Sequence, residues 1–188
     1  MTIHPGPPWI RSLLVGFALL TVSAQELQAQ TPIPRDTLMN AARDIIEAAR
    51  YCGLATFDRS GRVRIRTMDP FPPEGDMVVW MGTHRRSRKV QDIENDPSVT
   101  LYYQSPTAAG YVVLTGRARL VDNPAQKGAR WKEEWGAFYA DRETDFVLIQ
   151  VTPDRMEVID YSRGIVGDPE TWVPPVVEFR PGGQGPRD

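Results

Sequence analysis

Residues 61–89 read GRVRIRTMDPFPPEGDMVVWMGTHRRSRK, and this stretch carries most of the information about the fold. From Val63 to Met68 apolar and basic residues alternate, the period-two pattern of a β-strand. Arg62, Arg64 and Arg66 therefore share one face of that strand, and Val63 and Ile65 share the other. Pro70-Phe71-Pro72-Pro73 breaks the run. Met77 to Met81 predicts a further strand, which runs through Gly82-Thr83 into a short helix over Ser87–Asn95, stopped by Pro97. Between Arg59 and Lys89 there are eight basic residues against three acidic ones, Asp69, Glu74 and Asp76. A helix start offers free backbone N–H groups and the positive end of a dipole. With hydroxyls from Thr83 and Ser87 and cations from Arg88 and Lys89, it has the donors to hold a phosphate. The alternative is a solvated Arg-rich strand face followed by a Ser-capped surface helix.

The flanking sequence extends the pattern. Tyr51–Phe57 is a β-type run joined to Val63–Met68 through the turn Asp58-Arg59-Ser60-Gly61, which predicts a hairpin. Ahead of it, Leu38, Ala41, Ala42, Ile45, Ile46 and Ala49 recur at helical spacing between Asp36 and Arg50. Downstream, Val99–Gln104 and Tyr111–Val121 predict a second hairpin. Asn123-Pro124 starts a helix in the favoured cap order, with Trp131, Trp135 and Phe138 on one face. Phe146–Thr152 and Met156–Ile159 read as two more strands. The expected fold is mostly β with flanking helices: a six-stranded antiparallel barrel or strongly curved sheet. It occupies residues 36–160, after a polar linker at 30–35 and before a Pro/Gly-rich C-terminal extension at 161–188.

The remaining N-terminal segment is of another kind. Arg11 precedes an apolar run from Leu13 to Val22, and Ala24 and Ala29 each end a small-residue cleavage pattern, so residues 1–29 read as a secretory signal peptide with its cleavage region. The run is about half the roughly 20 residues that a membrane-spanning helix needs. The protein is therefore expected to be exported, periplasmic or secreted, without stable membrane insertion after cleavage. The chain of 188 residues holds 41% hydrophobic and 24% charged residues, as an ordinary globular protein does. One Cys and two His leave no disulfide framework and no ordinary zinc site, so no metal is expected. A net charge of -2 argues against nucleic acid as a partner.

Few residues outside the basic stretch suggest chemistry. His84 is the one histidine beyond the leader, and beside Arg85 and Arg86 it is expected at a site entrance or in solvent. Cys52, at the start of a strand, reads as a small core residue. Trp131 and Trp135 read as packing residues. Glu133, Glu134 and Asp141 to Asp145 read as solvated, and no catalytic acid–base pair stands out. Trp172 in the extension is either packing or a cover for a bound ring.

Taken in order, Arg66-Thr67-Met68, a strand ending Gly82-Thr83, then Ser87-Arg88-Lys89, Asn95-Asp96-Pro97, Leu101-Tyr102-Tyr103 and Val113-Leu114-Thr115-Gly116 resemble the FMN-binding split barrel of pyridoxamine 5'-phosphate oxidase-like proteins. The general-stress-protein type is the nearest in pattern. The resemblance implies FMN as cofactor, with Arg66, Thr67 and Met68 along the flavin and Gly82, Thr83, Ser87, Arg88 and Lys89 at its phosphate. Arg64 or Arg66 would lie at the pyrimidine end. It also implies a homodimer with flavin sites at the subunit interface, acting as an oxidoreductase on a small molecule. The catalytic residues stay unassigned. Two features of the pyridoxamine oxidases proper are missing: a Lys shortly after the strand Arg, where this chain has Asp69-Pro70-Phe71-Pro72-Pro73, and the terminal substrate-reading segment. Vitamin B6 oxidation is therefore not expected. The competing reading is a non-catalytic protein that sequesters flavin, haem or a similar ligand on the same barrel, with His84 or Tyr102 as axial ligand to haem. A ligand-free dimer serving as an interaction module is a third.

Overall fold

The computed structural model describes residues 32–107 and 109–179. The expected signal peptide lies outside the described residues. The chain opens with helix α1 (Arg35–Ala49), whose residues Leu38, Ala41, Ala42, Ile45 and Ile46 are buried. Their spacing forms one apolar stripe, and the stripe packs on the inner face of a sheet. Strands β1 (Cys52–Phe57) and β2 (Val63–Met68) form the predicted hairpin, with Leu54 opposite Arg66. Then come β3 (Val79–His84), α2 (Arg88–Asn95), β4 (Ser98–Gln104) and β5 (Gly110–Val121). Helix α3 (Pro124–Ala129), β6 (Phe146–Asp160) and β7 (Val176–Glu178) complete the fold.

The strands form one antiparallel sheet in the order β2-β1-β4-β5-β6-β3, with β7 paired to β6. It curves like a barrel but does not close. Its two terminal strands, β2 and β3, are tied near one end by a bridge between Pro70 and Met81 and by the bond from Phe71 N–H to the Trp80 carbonyl. The core inside the curve joins α1 to Leu54, Met81, Leu101, Leu114, Met156 and Val158. Each such side chain contributes about 1.5–3 kcal/mol on burial. A second cluster, with Trp80, Trp135, Phe146 and Leu148, lies on the other face of β3 and β6.

Three details differ from the sequence expectation. The last two predicted strands are a single strand, β6, because β3 leaves it at Val151 and β7 joins it at Arg155. Pro153 falls between them, at the register shift opposite Gly116. A Cβ on Gly116 would stand 2.3 Å from the Thr152 carbonyl oxygen, so only glycine allows this approach. Second, the helix after Asn123 stops at Ala129, and Trp135 is carried by a separate 3-10 turn over Glu133–Ala137. Trp135 is buried but Phe138 is exposed, so the three aromatics do not share a buried helical face. Third, the C-terminal extension is not merely a tail. Val176–Glu178 adds β7 to the sheet, a run too short to show a period in the sequence.

Candidate functional site

The open side of the barrel holds a cleft of about 510 Å³. One wall is the end of β2, with Thr67, Met68 and Asp69. The other is the end of β3, with Gly82, Thr83 and His84. Lys89 reaches in from the first turn of α2, and Trp135, Phe138 and Tyr139 rise on the far side. Five residues singled out from sequence, Thr67, Met68, Gly82, Thr83 and Lys89, therefore line one cleft. Ser87 joins them through Thr83, with their hydroxyl oxygens 3.2 Å apart. The Lys89 ammonium donates to Thr83 Oγ1 at 3.0 Å.

Lys89 is the electrostatic centre of the cleft. It makes no ion pair with a carboxylate among the described residues. Burial, and then the charge of Arg66, hold its pKa below the ordinary lysine value. A half-buried cation without a counter-charge is poised to take an anion. Ser87 is the N-cap of α2, yet its side chain caps no backbone N–H, so the helix start keeps donors free for a ligand. Arg88 is exposed at the same helix start.

The β2 arginines behave differently. Arg66 donates to the Leu54 carbonyl at 3.2 Å, to Thr56 Oγ1 at 2.7 Å and to Asp92 Oδ2 at 3.3 Å. Burial pulls its pKa down, and the Asp92 carboxylate offsets part of that. Arg64 pairs with Asp58 at 3.0 Å and lies 3.7 Å from Asp92. It lines a separate groove with Asp58, Ser60 and Gln91. The alternation read from sequence holds, but the arginine face turns in toward α2, and Val63 and Ile65 face out. Asp92 itself is buried and also accepts a 2.7 Å bond from Thr56 Oγ1.

Gly82 has a second role. A Cβ there would stand 2.4 Å from the Phe146 ring and 2.5 Å from the Trp135 ring, so the missing side chain is the seat of Trp135. His84 stands at the cleft as expected. Its Nδ1 accepts from the Arg86 backbone N–H at 3.1 Å, and its Nε2 lies 3.6 Å from Asp145. Tyr102, the other residue considered for haem, is on the outer face of the sheet and does not line the cleft. Cys52 is buried in the core as expected, and burial pushes its thiol up to about 12. Sequence reading missed Asp92, Phe138 and Tyr139.

The family of pyridoxamine 5'-phosphate oxidase like proteins matches residues 38–167, well over half of the chain. The chain belongs to this family. No protein of curated function matches the sequence significantly. Among solved structures, general stress protein 26 from Bacillus anthracis is 24% identical with a TM-score of 0.61, over 76% of this chain and 98% of that one. A pyridoxamine 5'-phosphate oxidase-related, FMN-binding protein from Nostoc punctiforme is 19% identical with a TM-score of 0.53, over 81% of this chain and 100% of that one. A heme binding protein from Mycobacterium smegmatis is 18% identical with a TM-score of 0.55, over 68% of this chain and 55% of that one. At these identities the likeness is one of fold, the split barrel of flavin-binding proteins, and the family has both FMN-binding and heme-binding neighbours.

Proposed function

We propose that the protein is an exported FMN-binding member of the family, acting as a flavin-dependent oxidoreductase on a small molecule. The observation that carries this reading is Lys89, a half-buried cation with hydroxyls for neighbours and no carboxylate. A phosphate group answers that arrangement. Haem would need an axial ligand, and His84, the one histidine in the cleft, has its Nδ1 engaged by the Arg86 backbone N–H. The residues thus fit FMN. Lys89, Ser87, Thr83 and the α2 N-terminus would hold the phosphate, and Thr67 and Met68 on β2 would flank the flavin ring. Bound FMN supplies two-electron redox chemistry at its ring. The chain's own part is to bind the phosphate, orient the ring along β2 and limit water in the cleft.

The dimer belongs to the same proposal. Val63 is 55% exposed, Ile65 72% and Tyr102 41%, and these neighbour one another on the outer face of β2, β1 and β4. Apolar side chains gathered on an exposed sheet face mark an association surface. Thr67 lies on that face and also lines the cleft, so a second copy seated there would border the flavin. Export rests on the leader-like sequence of residues 1–29. Among the described residues no helix is long and apolar enough to cross a membrane.

The test is a visible spectrum. Protein purified from the periplasmic fraction and incubated with FMN is expected to retain a flavin spectrum through gel filtration, to elute as a dimer, and to bleach under dithionite. A Soret band with haem and no retained FMN overturns the reading.

A further inference from the structure

We propose that a second pocket, between α1 and the segment 70–73, binds a small monocarboxylate with a compact apolar body. The pocket is distinct from the cleft and stands whether or not the cofactor is FMN.

It holds about 480 Å³, within the range of about 300–1,000 Å³ usual for small-ligand sites. Ile46, Phe71 and the prolines of the segment 70–73 supply apolar walls, and Arg43, Glu47 and Arg50 stand on the α1 side. Positions 43, 46, 47 and 50 fall on one face of the helix. The opposite wall is fixed before any ligand arrives. Its prolines limit the backbone, and the Phe71 N–H pins it to β3 by a 2.8 Å bond to the Trp80 carbonyl. Arg43 pins it to α1, donating to the Pro73 carbonyl at 3.3 Å and to the Gly75 carbonyl at 2.6 Å. A preformed wall spares the ligand the cost of ordering it.

The charges select the ligand. Lys132 and Asp69 also line the pocket, and they neutralise each other at 2.8 Å. The two carbonyls on Arg43 satisfy its donors without cancelling its charge. The Arg50 guanidinium lies 5.1 Å from the centre of the Tyr51 ring and meets no carboxylate among the described residues. Against these two arginines the pocket sets one free carboxylate, Glu47, which leaves a single positive charge in excess. A monoanion balances it, and a carboxylate matches the planar fork of a guanidinium. Arg50 is also held at φ 60°, just past the last turn of α1, where glycine would end the helix without strain. The arginine side chain therefore serves something other than the fold. Arg50 and Asp69 line both the pocket and the cleft, so the two cavities meet there, and the ligand's carboxylate end lies at that junction.

Calorimetry on the FMN-free protein compares cyclohexanecarboxylate with cyclohexanecarboxamide, which lacks the charge, and with acetate, which lacks the body. The carboxylate is expected to bind at least about tenfold more tightly than either. Arg50→Gly suits the left-handed backbone, so its stability to denaturant should equal or exceed that of the parent while carboxylate affinity falls about tenfold. Glu47→Gln removes a like charge and should tighten binding about two- to threefold. Equal affinity for acid and amide overturns the proposal, as does full affinity in Arg50→Gly. FMN-loaded protein should bind the carboxylate as well as the FMN-free protein does. Competition between the two ligands would place the carboxylate in the cleft and also overturns the proposal. If the protein takes up no FMN, the cofactor reading fails alone, and the calorimetry still decides the pocket.

Discussion

Arg64 and Arg66 on β2 and Lys89 on α2 come from one basic stretch, yet they end in opposite electrostatic situations. The arginines are answered: Asp58 and Asp92 stand within 3.0 to 3.7 Å, and Thr56 and the Leu54 carbonyl take further donors of Arg66. Lys89 has only a threonine hydroxyl and a repelling arginine. A run of positive charge therefore does not mark a ligand site by itself. The residue left without a partner marks it, and the paired ones fix the strand and helix that hold it in place. Asp92 does this most directly, since it grips β1 through Thr56 and β2 through Arg66 from the body of α2.

The largest expected effect breaks the paired side. Asp92→Ala leaves Arg66 half-buried and uncompensated, and should cost about 2–3 kcal/mol of stability, somewhat under the loss for a fully buried pair. Denaturant unfolding of the ligand-free protein measures it. A cost below about 0.5 kcal/mol would mean that Arg66 is not held by Asp92 at all.

Next comes the unpaired side. Lys89→Met keeps the apolar stem and removes the charge, and should weaken FMN about ten- to a hundredfold, the worth of a charged hydrogen bond. Its effect on folding should be the reverse of that at Asp92. The pKa of Lys89 is lower in the folded than in the unfolded chain, so its charge opposes folding at neutral pH, and the opposition fades as pH rises through that lowered value. The ligand-free Lys89→Met protein should thus be as stable as the parent or more so. If it instead loses both stability and nothing in FMN affinity, the two regions do not differ in kind.

Much of this arrangement can be read in the sequence, and its limit is specific. Alternation from Val63 to Met68 and the Gly82-Thr83…Ser87-Arg88-Lys89 order predict the strand and the helix, and Thr67, Met68, Gly82, Thr83 and Lys89 from them meet in one cleft, whereas Arg64, Arg66, Ser87 and Arg88 do not line it. The partners of the arginines escape notice because they flank the basic run. Asp58 immediately precedes Arg59, and Asp92 follows Lys89 by one helical turn, so a charge count from Arg59 to Lys89 omits both. The signal that finds Asp92 is a carboxylate within the short apolar stripe of α2, beside Val90 and Ile93. Phe138 and Tyr139 escape for another reason. A helical period continued past Ala129 puts Phe138 on a buried face, whereas the chain leaves the helix there and re-enters as a single 3-10 turn.

The pH dependence of FMN binding sharpens the contrast without a loss of fold. Above about pH 7 a phosphate monoester is already doubly charged, so its own titration no longer changes affinity. Lys89 is then the group that matters: it holds phosphate while protonated, and affinity should decline as pH rises, beginning below 10.5, the ordinary lysine value. Lys89→Arg should hold its affinity to higher pH, because a guanidinium does not titrate in that range. Fluorescence titration with FMN across the alkaline range measures both. Identical profiles for parent and variant would remove Lys89 from the phosphate site.

The smallest effect is expected at Arg64. Its side chain is about a third exposed, its groove is separate from the cleft, and its partner Asp58 is already satisfied by Ser60, whose backbone N–H and hydroxyl both donate to it. Losing a solvent-screened pair of this kind changes stability little. Arg64→Ala should therefore change FMN affinity less than about threefold, although the residue stands two places from Arg66 on the same strand face. A tenfold loss in the same FMN titration would place Arg64 at the flavin, and the distinction between answered and unanswered charge would then no longer separate scaffold from site.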